Sequence, residues 1–360
     1  MLPPDLLAMT FAFLSLATPS MGATADQWAS RSIYQILTDR FALSDGSSPP
    51  CDLMRYCGGT WRGIINKLDY IQGMGFSAIQ ISPVVKNFDN NTIHGDAFHG
   101  YWPVNWYELN ENFGTAQDLK DLSAALHERD MLLMVDVVIN DMAVAINGSM
   151  TLDRKIDYSQ FYPFNEEKYY HPWCNLTDWF DPVVFQNCWL GSEVVALPDL
   201  NTTSPEVQEM TNTWIQQLVS NYSIDGLRID AAKHVDDAFL QSFVKASGVF
   251  TMGEVYNQNR ELMCKYASLV DGLANFATYF PLIEGFSNGD LTGLGVQVED
   301  IKKNCGGNIT HLVTFSENHD LPRFASITSN LTVSPLPIHT ISSHKKRISN
   351  TDDLNHDRLR

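Results

Sequence analysis

Met131-Leu-Leu-Met-Val-Asp-Val-Val-Ile139 is an apolar run interrupted only by Asp136 and followed by Asn140 and Asp141. A run this short and continuous predicts a strand buried on both faces, as in a parallel sheet. The same pattern recurs on either side. Residues 32–37 and 78–81 read as strands, as do 226–229, 249–252 and 311–315. Between them lie helical spacings: Ile64, Leu68 and Ile71; Leu119, Leu122 and Leu126 after the capping-box signature Thr115-x-x-Asp118; Trp214, Leu218 and Tyr222; and residues 235–246. Repeated strand–helix alternation predicts an α/β fold in which parallel strands form a (β/α)8-type TIM barrel. Residues 141–200 break the rhythm. They are rich in Tyr, Trp, Pro, Asn and Asp and contain Cys174 and Cys188, so an irregular subdomain inserted after the third strand is expected there. The barrel is then divided into residues 26–140 and 201–330.

The 360 residues carry a formal net charge of −18, and 44% of them are hydrophobic, enough for a sizeable core. The acidic balance excludes a nucleic-acid partner, which needs clustered Lys and Arg. It does not repel a neutral polymer. Residues 1–25 read as a signal peptide: the apolar stretch from Leu6 to Leu16 is too short to span a bilayer, and Ala23-Thr24-Ala25 fits a small-x-small cleavage site. Asp5 stands where a basic residue is usual. No other apolar run is long enough to cross a membrane. Six cysteines, an even count, fit three bridges in an oxidising compartment, with fifteen pairings open. Asn-x-Ser/Thr sites begin at Asn90, Asn147, Asn175, Asn201, Asn221 and Asn308. A secreted protein is expected. Residues 331–360 turn Ser/Thr/Pro/His-rich and then basic at Lys345, Lys346 and Arg347, and a disordered tail is expected there.

In a parallel barrel the active site lies at the C-terminal ends of the strands. The third strand ends in Asp136, Asn140 and Asp141, the fourth in Arg228 and Asp230, and the fifth in Glu254. The seventh is followed by Glu317, Asn318, His319 and Asp320. A single Asp after a strand is commonly a helix cap or turn residue. Carboxylates at the same end of several strands are harder to explain that way. Arg228 inside an apolar strand needs a carboxylate partner, and it lies two residues from Asp230, on the same strand face. Paired carboxyls suit glycoside cleavage, one protonating the leaving oxygen and the other attacking or supporting the sugar cation.

Four ordered stretches, Asp136-Val-Val-Ile-Asn140, Gly226-Leu-Arg-Ile-Asp230-Ala-Ala-Lys-His234, Gly253-Glu254-Val255 and Phe315-Ser-Glu-Asn-His-Asp320, resemble the signature regions of the α-amylase family of glycoside hydrolases. Ser32-Ile-Tyr-Gln-Ile-Leu-Thr-Asp-Arg-Phe41, Cys57-Gly-Gly-Thr-Trp61 and Gly95-Asp-Ala-Phe-His-Gly-Tyr-Trp102 resemble its fungal secreted members. The resemblance runs from about Trp28 to Ser329 and implies retaining, endo-acting hydrolysis of α-1,4-glucan by a monomeric secreted enzyme. It implies Asp230 as nucleophile, Glu254 as general acid/base and Asp320 as transition-state stabiliser. Arg228 would orient Asp230. His319 would bind the sugar at the cleavage subsite, which His99, Tyr101 and Trp102 would line. Lys233 and His234 would touch the sugar on the leaving-group side. Ca2+ would be held by Asn140, Asp199 and the His234 carbonyl, with Gln186 standing where the family has an acidic residue. The implied disulfides are Cys51–Cys57, Cys174–Cys188 and Cys264–Cys305.

Three departures accompany the resemblance. Asp141 replaces a His that contacts the sugar, and is expected to face the sugar at the cleavage subsite. Gln186 and Asn187, rather than an acid, precede Cys188 and imply a weaker cation site. The likeness stops near Asn330, which implies that the last barrel strand, its helix and a C-terminal β-domain are missing and that the edges of the first and seventh strands are open. Two alternatives follow: a 4-α-glucanotransferase acting on maltooligosaccharides or cell-wall α-glucan, with a wall-associated location, and an inactive truncated fragment.

Overall fold

The computed structural model describes residues 22–89, 91–146, 156–305, 311–327 and 347–350. Most of the leader, the glycosylation sequences beginning at Asn90, Asn147 and Asn308, and most of the tail lie outside them. Eight parallel strands form a closed barrel. In chain order they are β1 (Ser32–Ile36), β2 (Ala78–Ile81), β3 (Leu132–Val137), β4 (Gly226–Ile229), β5 (Phe250–Gly253), β6 (Gly272–Ala274), β7 (Leu312–Phe315) and β8 (Arg347–Asn350). Each pairs with its neighbours in sequence, and β8 pairs with both β7 and β1, setting Ser32 opposite Arg347 and Phe315 opposite Ile348.

Two strands depart from the sequence expectation. β6 is only three residues, Gly-Leu-Ala, too short to show a period. β8 closes the edge that was expected to stay open between the first and seventh strands, so Arg347–Asn350 is not part of a structureless tail. Pairing to two edges at once draws on backbone N–H and C=O groups, which any extended tetrapeptide supplies, and a polar sequence gives no sign of it. The helix expected over Ile64, Leu68 and Ile71 is two short helices, Trp61–Ile65 and Leu68–Gly73, broken at Asn66 and Lys67.

The barrel has two cores because strand side chains alternate. On β3, Leu133, Val135 and Val137 face outward and pack with Leu119, Leu122, Trp214, Leu218 and Phe239 of the surrounding helices. Leu132 and Met134 face inward with Ile33, Ala78, Phe250, Met252 and Val313. The helices over the outer core are α1 (Ala116–His127), α2 (Pro205–Tyr222) and α3 (Asp237–Ser247). α1 begins with the expected capping box: the Thr115 hydroxyl accepts the Asp118 N–H, and the Asp118 carboxylate accepts the Thr115 N–H.

Trp28 lies at the N-terminal end of the barrel. Its indole stacks on Phe250 at 5.5 Å and donates to the Asp225 carbonyl at 3.1 Å. A Cβ on Gly226 would come within 2.7 Å of this ring, which accounts for the glycine that starts β4.

Between β3 and α2 the chain forms short antiparallel strands, Val144–Ala145, Leu190–Gly191 and Val195–Leu197, with irregular segments between them. All six cysteines are paired, as Cys51–Cys57, Cys174–Cys188 and Cys264–Cys305, which is the pairing the resemblance implies. Among the described residues no helix is long and apolar enough to cross a membrane.

Candidate active site

On β1, β2, β3 and β5 the inner face turns from apolar to polar toward the C-terminal end. Ile33 is followed two residues on by Gln35, Ala78 by Gln80, Met134 by Asp136, and Met252 by Glu254. The period of two therefore carries these polar groups to one end of the barrel. Gln35, Gln80, Arg228, Glu254, Asn318 and His319 line a cleft there. Backbone bonds continue the ladders through the key residues: the Asp230 N–H donates to the Val137 carbonyl at 3.0 Å and the Glu254 N–H to the Ile229 carbonyl at 2.9 Å.

Arg228 is buried and holds three carboxylates. Its Nη1 lies 2.9 Å from both oxygens of Asp136 and 2.7 Å from Asp230 Oδ1, and its Nη2 lies 2.7 Å from Glu254 Oε2. Asp136 also accepts the Tyr101 hydroxyl at 2.7 Å. Burial pushes the Asp136 carboxyl up, and Arg228 and the Tyr101 hydroxyl oppose that. Burial also pushes Asp230 up, with Arg228 opposing and Glu254 and Asp136 adding to the rise. Ala231, next to Asp230, takes the left-handed conformation at φ +47°, uncommon for a residue with a Cβ. In that conformation its N–H donates to Glu254 Oε2 at 3.1 Å.

Asp320 lies across the rim and is more exposed than Asp230 or Glu254. Its Oδ2 is 3.2 Å from His319 Nε2, and its N–H donates to Asn318 Oδ1 at 2.9 Å. The Gln35 amide meets His319 Nδ1 at 2.5 Å. With that amide nitrogen donating, the imidazole proton sits on Nε2 and faces Asp320. Tyr101 stacks with both His319 (5.4 Å) and His99 (5.7 Å). His99 Nδ1 accepts the Tyr101 N–H at 3.0 Å, so its proton is on Nε2, a buried donor with no partner among the described residues. Burial, reinforced by the charges of His319 and Arg40, lowers His99 to about 3, so the ring is neutral. Trp102 packs flat on Phe88 and edge-on to His99.

Lys233 and His234 follow β4. Lys233 is buried, with Nζ 5.3 Å from the Trp179 ring centre and 5.4 Å from that of Phe185. His234 Nδ1 bonds the Phe185 carbonyl at 2.8 Å.

Asn140, Asp141 and Asp199 form a buried group in which, among the described residues, Asn140 Oδ1, Asp141 Oδ1 and Asp199 Oδ1 have no hydrogen-bond partner. Such bare, buried oxygens fit a hard cation. Among the described residues no three His, Cys, Asp or Glu side chains are grouped as a metal site, so a cation here would depend on the Asn140 amide and a main-chain oxygen as well. Gln186 donates its amide to the Val235 carbonyl at 2.9 Å, leaving only its neutral Oε1 for a cation. Asp141 Oδ2 accepts from Asn140 Nδ2 at 3.3 Å, and the Asp141 charge adds to the rise of Asp230.

Residues 35–339 match the family model of the alpha-amylase catalytic domain. The chain belongs to the alpha-amylase family. It is 49% identical over 311 residues to an alpha-amylase of Saccharomycopsis fibuligera, covering 85% of this chain and 62% of that one. An alpha-amylase structure from Malbranchea cinnamomea superimposes with a TM-score of 0.81 at 49% identity, covering 86% of this chain and 66% of the other. A cyclomaltodextrin glucanotransferase with a three-domain ABC distribution matches with a TM-score of 0.70 at 27% identity, covering 83% and 66%. The chain thus spans less than two thirds of the length of these alpha-amylase relatives.

Sequence reasoning missed several residues of this alpha-amylase-family site. Gln35 and Gln80 are buried amides inside apolar strands, and that anomaly is visible in the sequence. Trp179 (52% exposed) and Tyr256 (46% exposed) are large aromatics near Lys233 and Glu254, and nothing periodic marks them.

Proposed function

We propose that this protein is a secreted glycoside hydrolase that cleaves α-1,4-glucosidic bonds within starch-like glucans with retention of configuration. One observation carries this reading: Asp230 and Glu254 end adjacent strands and share Arg228 as their counter-ion. Asp230 attacks the sugar carbon, Glu254 protonates the departing oxygen and then activates water, and Asp320 supports the positive charge that develops on the sugar. Arg228 keeps Asp230 oriented and favours its ionised form. The Nε2–H groups of His99 and His319 are donors suited to sugar hydroxyls, and Tyr101 and Trp102 supply apolar surface. Lys233, His234 and Trp179 border the leaving-group side. A calcium ion held by Asn140, Asp199, the His234 carbonyl and Gln186 Oε1 would tie the barrel to the 141–200 segment and stabilise it. Three disulfides and the exposed Asn175 and Asn221 of Asn-x-Ser/Thr sequences support an extracellular location.

The test is proton NMR of fresh maltooligosaccharide digests. The first-formed product should be the α-anomer, and Asp230→Asn and Glu254→Gln should remove it. A β-anomer, or unchanged turnover in both variants, would sink the proposal.

A second reading is transfer of the glucan to another sugar. It is favoured by Tyr256, exposed two residues beyond Glu254 and packed edge-on against Phe276, which lines the cleft. An exposed aromatic there offers a surface on which an acceptor sugar can stack. Longer oligosaccharides in the same digests would mark this reading.

A further inference from the structure

We infer that Asp141 is a carboxylate ligand of the cation at the Asn140–Asp199 group, supplying the negative charge that Gln186 lacks, and that it is not a sugar contact. The inference rests on the cation site proposed above and is independent of the hydrolytic reading.

Asp141 and Asp199 are paired across an isolated antiparallel bridge. The bridge is held by the Leu200 N–H on the Asn140 carbonyl at 2.8 Å and the Met142 N–H on the Pro198 carbonyl at 3.2 Å. Residues directly opposite in such a pair point to the same side, with Cβ atoms about 4.5–5.5 Å apart. Each carboxylate has one oxygen engaged. Asp141 Oδ2 accepts from Asn140 Nδ2, and Asp199 Oδ2 lies 2.6 Å from His171 Nδ1. Among the described residues the other oxygen of each has no hydrogen-bond partner, nor has Asn140 Oδ1 next to Asp141, and all three residues are no more than 2% exposed.

Two buried carboxylates with bare oxygens on one side of a bridge are unfavourable unless a cation lies between them. Among the described residues no cationic side chain pairs with Asp141, whose charged neighbour is Asp199. Oxygen-only donors carrying two negative charges suit calcium, whose affinity follows the number of charged ligands. An acid at position 141 thus offsets the neutral amide at 186, and the same substitution withdraws a group from the sugar pocket.

The full chain, stripped with chelator, is titrated with calcium by calorimetry and melted with and without the ion. Asp141→Asn should weaken calcium binding at least about tenfold and shrink the calcium-dependent rise in Tm. In chelator its Tm should equal or exceed that of the unsubstituted protein, because one bare buried charge is gone. A merely structural Asp141 would lower Tm equally with and without calcium. The double variant Asp141→Asn/Gln186→Glu restores the carboxylate count and should regain affinity to within about threefold. If Asp141→Asn does not fold, the double variant decides: tenfold tighter binding than in the unsubstituted protein would mean that Asp141 contributes nothing. Unchanged affinity in Asp141→Asn overturns the inference while leaving a site at Asn140 and Asp199. An unsubstituted protein that takes up no calcium overturns the cation site as well.

Discussion

Arg228 Nη2 stands 2.7 Å from Glu254 Oε2, and the opposite edge of the same guanidinium serves Asp230 and Asp136. One cation thus fixes the proposed acid/base, the proposed nucleophile and the carboxylate beneath them. A planar fork can do this and a point charge cannot.

Arg228→Lys is therefore expected to fail in two ways. Activity on maltooligosaccharides should fall by at least about a hundredfold, and the buried Asp136 together with the partly buried Asp230 and Glu254, left short of a partner, should destabilise the fold by about 3–5 kcal/mol. Urea unfolding alongside steady-state kinetics checks both. Near-normal stability would show that the carboxylates find other partners.

Asp230→Asn should separate activity from stability. Three acids share one Arg, and burial already pushes Asp230 toward its neutral form. Neutralising it should leave Tm unchanged or higher while reducing turnover by several orders of magnitude. A Tm loss of more than a few degrees would mean that its charge helps to hold the barrel.

The strands of greatest functional weight were legible because apolar runs ending in acids survive any surface variation; β3 and β4 are the clearest. The site residues on them follow from the period of two. β6 and β8 escaped because one is three residues long and the other is polar and held through its backbone. For Asp141, sequence position shows which strand end the residue leaves, not which way it faces. Its bridge partner, Asp199, is 58 residues away, and nothing local encodes that pairing.

Gly226→Ala should destabilise the protein by about 1–3 kcal/mol, because the added Cβ must displace the Trp28 ring or shift β4. Trp28→Ala alone should cost about 3–5 kcal/mol, and the pair should cost less than the sum, since the clash is then gone. Additive losses, measured by chemical unfolding, would show that the two residues do not meet.

His127 Nε2 lies 2.8 Å from Asp225 Oδ2, and this hydrogen bond, opposed by partial burial, raises the His127 pKa. The stabilisation is fully present below the unfolded value of about 6.5 and is lost as pH rises through the higher folded value. The ring is over a third exposed, so solvent limits the effect to about 0.2–1 kcal/mol. His127→Gln should accordingly lose more stability at pH 5.5 than at pH 8.5. Equal losses at both would show that the pair carries no charge.

Trp179→Ala should raise KM for long maltooligosaccharides severalfold with kcat and Tm nearly unchanged, since the ring is half exposed and lies over Lys233. An unaltered KM would remove Trp179 from the substrate path.

The register that sets Ser32 beside Arg347 also gives the barrel a seam. Every other junction joins strands consecutive in sequence, but this one joins the first strand of the barrel to the last and carries the largest loop-closure entropy of the set. Its hydrogen bonds should form last in folding and exchange fastest in the native state. Gln35, on β1, lies along that seam and positions His319, so the weakest line in the scaffold runs directly beneath one wall of the cleft.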